Sequence, residues 1–366
     1  MVRKLTSRSL FLLPLIFAAT GWSGGAHAQP NPVTLTANPA RVCFDPGTPS
    51  YPNFDLMVRN SSDTELTIGE VRGAVLSAKG EMIEQRLVWQ GATALLAPDD
   101  RVSAKGEATI FNPFAFSRWT PGSSLRYEIV FNGQAGTSST SVLTVTPKAC
   151  PNPKLIFPIS GRVLVLDGYD FYSHHRRSTY SDSWSRSMGI TDNFQRFGLD
   201  LVVVEAEGRY FTGDGTRTDQ WLGWGRPVRA TGSGTVAAVH DGQPDNVVIG
   251  TVDRWTGGVT RENPMSSYGN YVLIDHGGGE FTLVGHLKMG SVTVRQGDSV
   301  TAGQPIGQIG NSGASGGVHV HFERRTGPGI AGMETLPAFF SDVALVGATR
   351  KAAPLAVNTG DVLIAR

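Results

Sequence analysis

The sequence lacks the features that mark two large classes of protein. Its 32 Lys and Arg are balanced by 31 Asp and Glu, and no basic stripe appears, so nothing in it indicates a nucleic-acid partner. After the first 28 residues it has no apolar run that approaches the roughly 20 residues of a membrane-spanning helix. These absences leave an ordered protein that we expect to be soluble once mature.

Glycine and proline, by contrast, are plentiful. The chain has 45 Gly and 21 Pro, with 40% hydrophobic and 17% charged residues, which describes an ordered protein with many turns and favours β structure over helix. A length of 366 residues is too great for one ordinary core and sufficient for two domains. We therefore expect an all-β protein with two domains.

The first 28 residues have the pattern of a signal peptide. Arg3, Lys4 and Arg8 form a positive start, Leu10–Trp22 is apolar, and Ala26-His27-Ala28 resembles a cleavage site. A membrane anchor is the alternative, but an apolar run of about 13 residues is too short to span a bilayer. Cleavage removes three basic and no acidic residues, which moves the formal net charge from +1 to −2. We expect a secreted or periplasmic protein.

Residues 29–150 alternate with the period of a β-strand, and turn clusters separate the runs. Examples are Val33–Thr36, Asp55–Val58, Leu125–Val130 and Ser141–Val145. Short strands at this spacing predict an immunoglobulin-like β-sandwich. No cluster of catalytic residue types accompanies them, so we predict an accessory domain that serves as a spacer, docking or targeting module.

The two cysteines of the chain, Cys43 and Cys150, lie near the two ends of this domain. An even count in an oxidising compartment favours a disulfide bond, which would stabilise the domain by about 4–5 kcal/mol in the chain-entropy model. Two buried thiols are the alternative. Because Cys150 lies in a proline-flanked segment, we expect the disulfide.

A proline-rich linker at Thr146–Pro153 marks the domain boundary. We place the second domain at residues 151–335 and a C-terminal extension at 336–366, which either adds a strand or lies on the surface. A polar stretch at 173–193, rich in Ser, Arg and Tyr, has the character of an inserted loop.

Histidine is confined to the second domain in the mature chain. Of the eight histidines, one leaves with the signal and the other seven are His174, His175, His240, His276, His286, His319 and His321. On a strand, the spacing of His319 and His321 places both imidazoles on one face. There they bind one metal ion together, or one binds while the other moves protons. A bare His-x-His equally fits two hydrogen-bonded histidines beside a core.

The surrounding motifs decide between these readings. In order, they are Tyr-Gly-Asn-Tyr-Val-Leu-Ile-Asp-His-Gly at 268–277, Val-Gly-His-Leu at 284–287, Gly-Asp-Ser-Val-Thr-Ala-Gly-Gln-Pro-Ile-Gly at 297–307 and His-Val-His-Phe-Glu at 319–323. Over about 155–325 the chain resembles the lysostaphin-type zinc metallopeptidases, also called β-lytic or LytM-like endopeptidases. The resemblance implies a lysostaphin-type β-domain, a Zn²⁺ cofactor and hydrolysis of peptide bonds in peptidoglycan cross-links or stem peptides.

The resemblance also implies a role for each motif residue. Asp200 matches the aspartate ligand of the family's His-x-x-x-Asp motif, and His321 matches the third zinc ligand. His286 and His319 match two histidines that do not bind the metal, but polarise the attacking water and stabilise the oxyanion. We assign the water proton to His319 and the developing negative charge to His286, while the identity of the principal base stays open.

The first ligand departs from the family pattern. Arg196 stands four residues before Asp200, where a histidine is expected, and its guanidinium has no free lone pair for a metal. Either the site is degenerate or the ligand comes from elsewhere. Some family members have a histidine displaced upstream of a similar Gln-Arg-hydrophobic-x-hydrophobic-Asp run, and lengthening a loop costs only about 0.6 kcal/mol per doubling. We expect His175 as the first ligand, with His174 as the alternate and a solvated loop as the remaining possibility.

Two other functions compete with this reading. Some relatives keep the fold, lose zinc ligands and regulate cell-wall amidases, which Arg196 permits but which the retention of the other site residues argues against. The run at 297–306 also resembles the turn of biotinyl and lipoyl carrier domains. In carriers the modified lysine follows that turn, whereas Lys288 precedes it here, so we reject the carrier function.

Weaker candidates lie next to these motifs. Glu323 either orients a ligand or lies at the surface. We expect Asn311 and Ser312, in a glycine-rich loop, to contact substrate. Insertions at about 209–222 and 243–267 are expected to form walls of the groove, where their aromatic side chains either stack on substrate or cover a small core.

Overall fold

The computed structural model describes residues 31–44, 52–97, 100–150, 153–178, 194–250, 263–330, 332–348 and 357–366. The signal expected at the first 28 residues lies outside this set. The elements within it are β-strands and short 3-10 helices, which confirms the all-β prediction. Within these ranges no helix is long and apolar enough to cross a membrane.

The described part of the first 150 residues forms ten strands. They are β1 (Val33–Asn38), β2 (Cys43–Phe44), β3 (Asp55–Asn60), β4 (Leu66–Leu76), β5 (Met82–Val88), β6 (Arg101–Val102), β7 (Glu107–Ile110), β8 (Ser124–Asn132), β9 (Ser138–Val145) and β10 (Lys148–Ala149), with 3-10 helices at Gln90–Leu95 and Gln134–Gly136. One sheet has the order β1-β3-β7, and a second has the order β5-β4-β8-β9 with β6 added to β4.

Both sheets of this first domain contribute to one hydrophobic core. On β8 every second residue is buried, from Leu125 to Phe131, as expected for a strand with one face on a core. Leu56 and Val58 of β3 belong to the same buried cluster as Tyr127 of β8. Two sheets over one core form a β-sandwich, and its immunoglobulin-like designation stays a prediction.

Cys43 and Cys150 form a disulfide bond, as predicted from their count. Cys43 opens β2 and Cys150 follows β10, and these two short strands pair in parallel. The bond therefore joins the beginning of the first domain to its end.

The second domain contains the remaining strands of the described residues. They are β11 (Gly161–Asp167), β12 (Leu199–Val203), β13 (Pro227–Arg229), β14 (Gly234–His240), β15 (Asn270–Asp275), β16 (Phe281–Leu287), β17 (Ser299–Val300), β18 (Pro305–Gln308), β19 (Val320–Arg325), β20 (Thr335–Leu336), β21 (Val343–Leu345) and β22 (Val362–Ala365), with 3-10 helices at His175–Arg177, Thr218–Gln220 and Pro264–Tyr268.

Most of these strands belong to one ten-stranded sheet. Its order is β17-β14-β15-β16-β19-β12-β11-β22-β21, with β20 added to β19, while β13 and β18 form a separate pair. The described part of the segment at 336–366 adds strands to this sheet, which is the first of the two expectations for it: β22 pairs with β11, and β21 pairs with β22. Residues 32–366 form one compact unit that holds two large hydrophobic clusters, one on each side of residue 150. The division into two domains stays a prediction, and the terms first and second domain denote the residues on either side of that position.

Candidate metal centre

Strand alternation in the middle of the large sheet collects polar side chains on one face. On β19, Val320 and Phe322 enter the core, which leaves His321 on the opposite face. Asp200 of β12 lies directly across from His321 in the strand register. The His319 ring reaches the same place, with Nε2 3.2 Å from Oδ1 of Asp200. The two imidazoles of the His-x-His pair therefore share one face, as their spacing predicts.

Three buried side chains converge with the chemistry of a metal site. His175, Asp200 and His321 offer ligand atoms that all lie within 4.8 Å of one another. Nε2 of His175 is 3.7 Å from Oδ2 of Asp200, and Nδ1 of His321 is 3.0 Å from Oδ1. Two imidazoles and one carboxylate form a donor set that suits zinc and leaves a fourth position open, as in catalytic sites. The residues present thus fit a zinc ion.

The structure brings His175, rather than His174, to this group. The side chain of His174 is 68% exposed, and its Nδ1 lies 3.1 Å from Oδ2 of Asp167. Arg196 is buried, but it points to the first domain, where its Nε is 3.1 Å from Oδ2 of Asp55. The guanidinium therefore takes no place among the three candidate ligands.

Asp167, the last residue of β11, holds the turn that carries His175. Its carboxylate accepts hydrogen bonds from the backbone amides of His174 and His175 at 2.9 Å and from the Ser173 hydroxyl at 3.0 Å. Nδ1 of His175 lies 2.7 Å from Asp167 Oδ2, which leaves Nε2 facing Asp200. Burial raises the Asp167 pKa, but interactions with His174 and His175 outweigh it and lower the pKa. Asp167 is absent from the residues expected at the site, although the apolar run Val163–Leu166 directly before it has the pattern of a strand that ends there.

Glu323 contacts the His321 ring as Asp167 contacts the His175 ring. Its Oε1 lies 2.9 Å from Nε2 of His321 and accepts a hydrogen bond from the Tyr268 hydroxyl at 2.8 Å. Nδ1 of the same ring lies 3.0 Å from Oδ1 of Asp200, and because a carboxylate only accepts, both nitrogens carry hydrogens in this arrangement; a metal ion at the site would replace the hydrogen on Nδ1. Burial lowers the His321 pKa, but the hydrogen bonds to Asp200 and Glu323 raise it to about 9. Of the two readings of Glu323, the surface reading is wrong, since the residue is 0% exposed.

His286 and His319 are both held through Nδ1. Nδ1 of His286 is 2.8 Å from the Ser312 carbonyl oxygen, and Nδ1 of His319 is 2.8 Å from that of Gly317. A carbonyl oxygen only accepts, so Nδ1 of each ring carries a hydrogen and Nε2 is the nitrogen left for the site; in His319 that nitrogen lies 3.2 Å from Oδ1 of Asp200. Burial and the neighbouring His319 lower the His286 pKa well below its usual value. The two ring centroids lie 4.8 Å apart, and in its neutral form such a ring offers Nε2 as a proton acceptor.

The backbone of His286 occupies a conformation that side chains rarely adopt, with φ at +59°. Its neighbours hold it there: the Ser312 hydroxyl donates to the Leu287 carbonyl at 2.7 Å and accepts from the Asn270 amide at 2.9 Å. Ser312 and Asn311 are both 0% exposed. The expectation that they contact substrate is therefore wrong, and Ser312 instead supports His286.

A cavity of about 330 Å³ opens over the site. Trp221, from the first predicted insertion, and Ser267, from the second, both line it together with the site histidines. Trp224 covers the core, which is the second of the two roles expected for the aromatic side chains, since it packs against the buried cluster of the second domain. Trp255 lies outside the described residues.

Known proteins resemble the second domain. Residues 218–331, less than a third of the chain, match Peptidase family M23. The match includes His286, His319 and His321 and begins after His175 and Asp200.

Two curated proteins are similar over shorter stretches. The peptidoglycan DD-endopeptidase ShyA of Vibrio cholerae is 38% identical over 90 residues, 24% of this chain and 20% of that protein. The murein hydrolase activator EnvC of Escherichia coli is 39% identical over 67 residues, 18% of this chain and 16% of that protein. The chain thus matches a fifth or less of the length of either relative.

A solved structure, that of the M23 metalloprotease pseudoalterin from the deep sea, is 16% identical with a TM-score of 0.29. It covers 60% of this chain and 98% of its own.

Proposed function

Given the Peptidase family M23 domain at residues 218–331, we propose that the protein is an exported zinc metalloendopeptidase that hydrolyses peptide bonds in peptidoglycan cross-links or stem peptides. The observation that carries the proposal is the buried convergence of His175, Asp200 and His321 beside His286 and His319, two histidines whose rings are both held through Nδ1. The name of the Vibrio cholerae relative, a peptidoglycan DD-endopeptidase, supports the choice of substrate.

In this proposal His175, Asp200 and His321 hold the zinc ion. When bound, zinc supplies a Lewis acid that polarises a carbonyl oxygen and lowers the pKa of a water molecule. Asp167 and Glu323 orient the two ligand imidazoles by engaging the nitrogen that does not face the site. The protein therefore contributes an oriented donor set and the neighbouring proton acceptors.

His319 and His286 handle protons and charge. Nε2 of His319 accepts the proton of the attacking water and returns it to the leaving amine. The low pKa of His286 makes the neutral ring its resting form, so it stabilises the oxyanion as a donor when Nε2 holds a proton taken from solvent, which it gives back to solvent after the amine has left. Because both rings are held alike through Nδ1, their geometry permits either to be the principal base.

The test uses the mature chain from residue 29 onward. We expect about one zinc per chain by metal analysis, and new free amino groups when purified peptidoglycan is digested. His175→Ala should abolish both, whereas His174→Ala, the matched control, should retain zinc because its side chain faces Asp167 and solvent. A His174→Ala variant that loses zinc while His175→Ala keeps it would reverse the ligand assignment.

A second candidate is a regulator of cell-wall amidases without hydrolytic activity. The similarity to the Escherichia coli murein hydrolase activator favours it, as does Arg196 at the position of a family ligand. Wild-type protein that binds no zinc, releases no free amino groups from peptidoglycan and stimulates a purified amidase would establish this function instead.

A further inference from the structure

Asp55 belongs to the first domain, but its partners lie beside the candidate metal ligands. It opens β3, and its carboxylate is buried. Oδ1 accepts hydrogen bonds from Nη2 of Arg176 at 2.5 Å and from Nε at 2.9 Å, while Oδ2 lies 3.1 Å from Nε of Arg196. Two guanidinium groups of the second domain thus converge on one carboxylate of the first.

Each arginine lies next to a ligand segment. Arg176 directly follows His175 in the 3-10 turn at His175–Arg177. Arg196 lies in the turn that leads into β12, four residues before Asp200. Asp55 therefore contacts both chain segments that supply the first two ligands, although these segments are separated by residues 179–193, which lie outside the described set.

The turn after Arg196 packs directly on the ligand rings. At Gly198 an added Cβ would lie 3.0 Å from Cε1 of His321 and 3.3 Å from Nδ1 of His175. No side chain fits between this turn and the two rings, so a shift of the turn toward them would displace both imidazoles. Metal ligands tolerate little such movement, because affinity depends on their distances.

We propose that Asp55 is a positioning residue for the metal centre. Asp55 holds Arg176 and Arg196, and in this way it sets the distance between His175 and Asp200. The first domain therefore contributes to the geometry of the metal centre. The inference rests on the zinc site proposed above. It also gives Arg196 a role. This residue stands where the family has a metal ligand, and here it binds Asp55 of the first domain instead.

The charges explain why the effect should reach the ligands. Both guanidinium groups are buried, and a buried cation is tolerated only with a partner. Asp55→Asn keeps the size of the side chain but removes the negative charge. The two guanidinium groups then repel each other, and their separation displaces the turn that carries His175 and the turn before β12. Asp167 still holds the turn of His175 from the other side. We therefore expect about a tenfold loss of zinc affinity, the low end for outer partners of metal ligands.

The experiment measures zinc dissociation constants of the full mature chain by competition with a chromophoric chelator, at a temperature where circular dichroism shows each variant folded. Asp55→Asn should bind zinc about tenfold more weakly than wild type. The control is Glu70→Gln, since Glu70 is also a buried carboxylate of the first domain but pairs with Arg72 of the same strand. We expect its affinity to stay within about twofold of wild type.

Unchanged zinc affinity in folded Asp55→Asn, even with a lower melting temperature, would overturn the inference and leave a purely structural ion pair. If Asp55→Asn does not fold, Arg196→Met replaces it, because the Asp55–Arg176 pair then remains with balanced charge. Its affinity should also fall, and wild-type affinity in that variant would overturn the inference. Wild-type protein that binds no zinc at all refutes the proposed function itself, so the two failures are distinguishable.

Discussion

Replacing Glu323 by Gln tests how the His321 imidazole is oriented, and the structure separates two effects of this change. The first concerns stability. Arg325 is 0% exposed and its Nη1 lies 3.4 Å from Oε2 of Glu323. Removing the partner of a buried charge typically costs about 3–5 kcal/mol, so we expect Glu323→Gln to lower the free energy of unfolding by about that amount.

The second effect concerns zinc. Glu323 accepts from Nε2 of His321 and so presents Nδ1 to Asp200, whereas a glutamine amide can donate as well as accept and no longer enforces that tautomer. Loss of such an outer partner typically weakens metal binding by about 10- to 100-fold, or roughly 1.4–2.8 kcal/mol. The Tyr268 hydroxyl retains an acceptor in the glutamine, so its contribution should change little.

The double variant Glu323→Gln/Arg325→Met separates these effects. It removes the uncompensated cation, so most of the lost stability in a urea titration should return, while zinc affinity measured by chelator competition should stay low. If zinc affinity returns together with stability, Glu323 acts only as the counterion of Arg325. The orienting role assigned to it would then be wrong.

Three further predictions concern other parts of the molecule. His319→Ala and His286→Ala should each retain zinc but lower kcat for peptidoglycan hydrolysis by about 10²- to 10⁴-fold, the usual contribution of a positioned acid or base; loss of zinc would instead make the altered residue a ligand. Burial raises the Asp55 pKa, but Arg176 and Arg196 outweigh this and lower it, so the ion pair stabilises the fold above the unfolded pKa of about 3.9 and the contribution is lost as pH falls through the lower folded value. The stability difference between wild type and Asp55→Asn should accordingly be full at pH 7 and shrink below about pH 4 in denaturant titrations; a constant difference would refute the charge argument. Replacing Cys43 and Cys150 together by Ser should lower the free energy of unfolding by about 2–5 kcal/mol, and an unchanged unfolding midpoint would mean that the bond adds nothing to stability.

Much of the architecture follows from local patterns. Alternating residues predict β1, β3, β8 and β9 because a strand with one face on a core repeats every two residues. The same period is sufficient to place His319 and His321 on one face of a strand. Turn-rich composition and the even cysteine count likewise depend on properties of short segments or of the whole chain.

Whether the C-terminal segment forms a strand could not be predicted from its own residue pattern. Residues 336–366 carry a strand signal too weak to assign, and β22 exists because β11 offers it an unpaired edge. The same limit applies to Asn311 and Ser312, which look like exposed loop residues in sequence yet are buried under the strand that carries His286.

What the sequence determined by itself is the chemistry available: the histidines, Asp200 and the motif order that resembles a zinc peptidase family. Only the tertiary structure decided that His175 and not His174 joins Asp200 and His321, because that choice depends on Asp167 holding one turn. Only it connected Arg196 to Asp55, a residue 141 positions earlier in the chain (196 − 55). Local spacing sets which face a side chain occupies, whereas contacts between distant segments exist only once both domains have folded.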